Sequence, residues 1–123
     1  MIGENEALAG YLVRQVPGFA DSPELEVVGA DRDRSDAVAG ALGRYLLRLE
    51  RKALRREADD SESVALDRAF EVFEELAASD DPAVREALVS EIFEPLHADD
   101  VVVAAVETRL GPRSSALFRR WAV

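Results

Sequence analysis

Residues 64–100 are written twice from one pattern. Sliding the chain by 20 residues lays Val64 on Val84, Glu71 on Glu91, Phe73 on Phe93, Glu74 on Glu94, Leu76 on Leu96 and Asp80 on Asp100, with Val72 on Ile92. The first copy places Leu66, Ala69, Phe70, Phe73, Leu76 and Ala77 on one side of a helix and Asp67, Glu71, Glu74 and Glu75 on the other. Asp80-Asp81-Pro82 ends that helix and opens the next, with an Asp cap and Pro in the first turn. The second copy is apolar over about half its circumference (Val84, Leu88, Val89, Ile92, Phe93, Leu96), and its polar strip of Glu86, Ser90 and Glu94 is narrow. A helix apolar this far round needs neighbours on more than one side. This pair of helices is therefore expected at the centre of the domain, with Pro95 kinking or ending the second.

The remaining segments read as helices around that pair. Leu8, Tyr11, Leu12 and Val16 share one face of a helix over residues 4–16, which Pro17-Gly18 ends. Residues 17–35 carry two prolines, two glycines and the run Asp31-Arg32-Asp33-Arg34, the signature of a long loop, with an extended piece at 25–28. Ser35 or Asp36 is placed to cap a helix running to about Glu57, with Val38, Leu42, Tyr45, Leu46, Leu49 and Ala53 inward. Gly40 and Gly43 weaken its first turns unless another helix packs closely there. Asp59-Asp60, Asp80-Asp81 and Asp99-Asp100 form a series of acidic turns. Val101-Val102-Val103 suits a strand by propensity, but Val102, Val106 and Leu110 keep a four-residue step and favour a helix over 101–110. Gly111-Pro112 stops it, and Ser114 or Ser115 opens a terminal helix with Leu117, Phe118 and Trp121 inward. The expectation is an all-α fold, one domain over residues 1–123, of five or six antiparallel helices.

Size and composition limit the functional classes. The chain has 123 residues, 48% hydrophobic, enough to bury a core of its own. There is no cysteine, which removes disulfides, thiolate metal sites and a Cys nucleophile together. Residues 1–6 lack a basic region and an apolar run, so no signal peptide is expected. No apolar run approaches the roughly 20 residues of a membrane helix, which makes a cytoplasmic location the expectation. Arginine outnumbers lysine 14 to 1, a composition typical of a GC-rich bacterial genome. The net charge of −10 is unevenly spread: residues 44–57 carry +4, residues 108–123 another +4, and residues 58–107 carry −13. That acidic block would repel nucleic acid and anionic membranes.

Three constellations bear on chemistry. Glu94 and His97 have the Glu-x-x-His spacing of a helical di-iron site, but His97 is the only histidine, so one subunit lacks the second such unit and no metal or cofactor is expected. The glutamates could form a carboxylate pair for acid–base work, yet no nucleophile stands beside a base and no Gly-rich phosphate loop occurs, so the chain is read as non-enzymatic. Arg44, Arg48, Arg51 and Arg55 step down one helix side; they suit a phosphate face, or pairing with the acidic helix that follows, and the adjacent −13 block favours pairing. What remains is the acidic face itself. Asp67, Glu71, Glu74, Glu75, Glu86 and Glu94 are expected in solvent, as determinants for a protein partner with a basic surface.

Two resemblances accompany these patterns. Residues 61–97, with Asp81-Pro82-Ala83-Val84-Arg85 leading an apolar helix, resemble a single HEAT-type hairpin, although the three or more repeats of a solenoid are absent. Residues 70–117, where a Phe-Glu-x-Leu helix precedes a second one and then the Leu110-Gly111-Pro112 break, resemble a family of small acidic bacterial helical proteins of unknown function. Some such proteins lie beside secreted toxins as immunity proteins, and the resemblance implies an inhibitor that masks a basic toxin site. An adaptor or regulatory subunit of a larger assembly is the alternative, and a nucleic-acid-binding regulator using the arginines a third.

Overall fold

The structure, a computed structural model, describes residues 7–119. Every regular element among them is helical. Seven helices follow in order: α1 Leu8–Gln15, α2 Pro23–Val28, α3 Ser35–Leu54, α4 Asp60–Ala77, α5 over 82–96, α6 Asp100–Glu107 and α7 Pro112–Phe118. Short 3-10 turns at Phe19–Asp21 and Gly29–Asp31 flank α2, so residues 17–35 are not the long loop with an extended piece at 25–28 that their prolines and glycines suggest: Ser22 caps a helix there, Pro23 opens it and Leu25 is buried. The expected start of the first helix at Glu4 and the inward Trp121 lie outside the described residues.

The centre is α3, and not the α4–α5 pair that the sequence pattern favours. Residues 38–43 are buried without interruption, and Tyr45, Leu46, Leu49 and Glu50 continue the buried face. Helices α1, α2, α4, α5 and α6 all pack on it. The reason is the small residues Ala39, Gly40, Ala41 and Gly43, which add little to an apolar stripe but let other backbones come close. Gly43 is the sharpest case: a Cβ there would lie 2.4 Å from the Ile92 carbonyl oxygen and 2.9 Å from the Pro95 ring. Helix α5 can seat itself against α3 only because that atom is missing.

The acidic turns act as read from the sequence. Asp59 and Glu62 form a reciprocal capping box at the start of α4. Asp81 caps α5 with Pro82 in the first turn, and Asp99 caps α6. At the start of α3 the expectation fails: neither Ser35 nor Asp36 caps it, the cap position is Arg34, and Ser35 instead accepts from the Ala9 N–H of α1.

Helix α5 is not uniform. It runs as an α segment Pro82–Ala87, a π turn Leu88–Ile92 and a last α turn Phe93–Leu96. Pro95 would drive its ring into the carbonyl four residues back and offers no N–H to it. The widened turn immediately upstream takes up that conflict, so the proline neither breaks the helix nor ends it before Leu96.

The two copies of the repeat meet in the core. Phe73 and Phe93 are both buried, with ring centroids 5.1 Å apart and planes at 86°. Phe70 extends the edge-to-face chain on one side and Phe118 of α7 on the other, and His97 stacks on Phe118 at 4.0 Å. This run of rings fastens α4, α5 and α7 together.

Candidate functional site

The six acidic residues singled out from the sequence do not form one solvent face. Glu74 and Glu75 are half-buried and spent internally. Glu74 accepts from the backbone N–H groups of Arg113 and Ser114 and from the Ser114 hydroxyl, all within 3.0 Å. Burial alone would raise its pKa; those three hydrogen bonds overcome burial and hold the carboxyl below its ordinary value. Glu74 is thus the N-terminal anchor of α7, and Gly111 makes the reach possible, since a Cβ there would collide with the Glu74 carboxylate. Glu75 accepts a hydrogen bond from the Tyr11 hydroxyl and pairs with Arg68, tying α4 to α1. Burial first, then that bond, raises the Tyr11 phenol well above its ordinary range, while the same bond lowers Glu75.

The other four remain exposed. Asp67 pairs with Arg109 at 2.7 Å and Glu71 with Arg68 at 2.9 Å, both at the surface. Glu86 accepts from Ser90 along α5 at 2.5 Å. Glu94 lies one turn further on, beside a site that the sequence pattern does not reveal.

That site is an open groove of about 300 Å³ between the end of α2, the first turns of α3 and the outer side of α5, lined by Val27, Val28, Asp31, Asp36, Gly40, Arg44 and Glu91, among others. Gly40 keeps its floor low: the Arg44 guanidinium and the Glu91 carboxylate both lie over it. Asp36 is held below its ordinary pKa by its hydrogen bond from Arg34, 2.8 Å away. Glu91 is pushed upward, first by burial, then by the negative charges of Asp36 and Glu94, with Arg44 offsetting only part of this. Its rim thus sets the carboxylates of Asp31, Asp36 and Glu91 among the guanidinium groups of Arg34 and Arg44, and Val27 stands beside them 83% exposed. A cation with an aliphatic stem suits such a groove: the charge relieves Glu91, and the stem covers Val27 and Val28.

The arginine row is mostly consumed by pairing, though not mainly with α4. Arg48 makes a two-pronged bond to Glu24 of α2, Arg51 bonds Asp99 before α6, and Arg55 bonds Glu57. Lys52 is the one that reaches α4, at Glu62. The Glu-x-x-His pair is split in its surroundings: Glu94 is exposed, while His97 packs on Phe118. Burial lowers the His97 pKa. Among the described residues no three His, Asp or Glu side chains gather as a metal site, and no helix is long and apolar enough to cross a membrane. Compared with protein-family models, with curated proteins and with solved structures, the chain has no match.

Proposed function

We propose that this protein is a non-enzymatic binding protein that takes a basic protein partner against α5 and the mouth of the α2–α3–α5 groove. The observation that carries this reading is Glu91: a half-buried carboxylate set against two like charges that Arg44 offsets only in part, beside an open cleft with an exposed valine. An arginine or lysine entering from a partner would remove that repulsion. Glu86 and Glu94 on the same helix extend the acidic surface, and Asp67 and Glu71 supply a longer-range field. In the sharper form, the partner is a bacterial toxin domain and the protein its immunity-type inhibitor, with the α4–α5 unit acting as a single HEAT-like hairpin. Support for that form is the resemblance of residues 70–117 and the acidic character of the surface.

The test uses the purified product of an adjacent gene, a toxin domain by this reading. Association should be fast at low salt and slow as ionic strength rises to a Debye length of about 8 Å. The double variant Glu91→Lys/Glu94→Lys should associate at least about tenfold more slowly, because charges at an interface rim act mainly on the on-rate. Equal association by wild type and this variant at both salt concentrations would remove the groove from the interface.

A further inference from the structure

A carboxylate sits where packing alone would place an apolar side chain. Glu50, on the inner face of α3, is 3% exposed. Leu46, Leu66, Phe70, Phe73, Leu96 and Val106 close around it and leave no space for a water. One cation reaches it: Arg109, in the connection between α6 and α7, places Nη1 3.3 Å from Glu50 Oε1. Arg109 is held at two further points. Its Nη2 donates to Asp67 of α4 at 2.7 Å, and its guanidinium lies 4.3 Å over the ring of Phe70. One side chain therefore joins α3, α4 and the α6–α7 connection, and lies against two residues of the apolar pocket, Glu50 and Phe70. The bond to Asp67, whose side chain is 72% exposed, is screened by solvent. The bond to Glu50 lies in low dielectric and is the stronger restraint. A buried ion pair is rarely retained for stability, since an apolar replacement of similar volume is commonly as stable or more so.

We propose that Arg109 is a proton-operated lid: proton uptake by Glu50 releases the guanidinium from α3, and residues 108–111 then swing away from Phe70. The groups around Glu50 leave few alternatives. On its own helix it meets Leu46; from α4 come Leu66, Phe70 and Phe73, with Asp67 reached only through Arg109; α5 offers Leu96 and α6 offers Val106. Arg109 is the one charged group that acts on it among the described residues. The guanidinium exchanges a buried carboxylate for water. The opening is local, because Glu74 holds the start of α7 and Phe118 holds its far end in the core. It uncovers the Phe70 edge of the pocket, away from the α2–α3–α5 groove.

The test is amide hydrogen exchange on the full chain, read over residues 106–111 and corrected for intrinsic rates. Wild-type protection there should fall about tenfold between pH 7 and pH 5, the scale of one lost charge-assisted hydrogen bond. Residues 114–118 should stay protected. Glu50→Gln should already show the low protection at pH 7 and no further change on acidification. Wild-type protection in Glu50→Gln at pH 7, or no change in wild type across this range, would overturn the lid. Should Glu50→Gln fail to fold, the wild-type series decides alone, with the Glu50 carboxyl and His97 imidazole shifts followed by NMR at each pH. Protection must fall in step with Glu50; a fall in step with His97, or Glu50 still ionised at pH 5, refutes the proposal.

Discussion

At the scale of single residues, the buried Glu50 and the half-buried His97 pull the pH dependence of stability in opposite directions. Burial raises the Glu50 carboxyl above its ordinary value, with Arg109 pulling it partly back. The folded state then holds this proton more tightly than the unfolded chain. Its contribution is fully present below the unfolded value of about 4.3 and is lost as pH rises through the folded one. His97 is lowered by burial, so its contribution is present above about 6.5 and is lost as pH falls through the folded value. Glu50→Gln should therefore gain stability relative to wild type as pH rises from 4 to 7, by denaturant titration. A difference that stays flat over this range would mean that Glu50 titrates alike folded and unfolded. Gly43 gives a purely steric prediction. Gly43→Ala places a methyl group against the Ile92 carbonyl, and the resulting backbone shift should cost about 1–3 kcal/mol by the same titration, despite the better helix propensity of alanine.

At the scale of elements, α7 is the one whose anchor can be removed without touching the core. Glu74→Ala deletes three hydrogen bonds at its N-terminus and should cost about 1–3 kcal/mol. The loss should show as faster amide exchange over 113–116, with α3 and α4 remaining protected. Three helix starts were legible from their acidic turns: Asp59, Asp81 and Asp99 each cap the helix that the apolar period implies. Helix α2 was not, because at six residues with one buried side chain, Leu25, it has no period to read. Its signal is local instead: Ser22 as cap, Pro23 in the first turn, and Glu24 and Glu26 behind it. The π turn of α5 had no signal beyond Pro95, which announced an irregularity without its form.

At the scale of the whole molecule, the order of burial and the groove both arise from segments far apart in sequence. The small residues of α3 look like weak helix positions until α5 is laid against them, so the pattern pointed to the α4–α5 pair as centre. Asp36 and Glu91 carry nothing in their sequence surroundings to show that they share a cleft, whereas Glu74 and Glu75 look like surface residues until Ser114 and Tyr11 arrive from elsewhere. Charge gives the prediction that belongs to this scale. A net −10 works against compaction, and many of the ion pairs are exposed and weak. Added neutral salt should therefore raise the midpoint of thermal unfolding, and a lower midpoint at 0.5 M NaCl would show that paired charges outweigh the repulsion.

The ring chain through α4, α5 and α7 ends on the chain's single histidine, and that gives the fold a built-in reporter. His97 lies in the ring current of Phe118, so its carbon-bound protons should resonate upfield of a free imidazole, with no second histidine to confuse the assignment. Undocking of α7 would return them to ordinary positions. The seating of the last helix can thus be followed in an unlabelled sample from a single pair of lines.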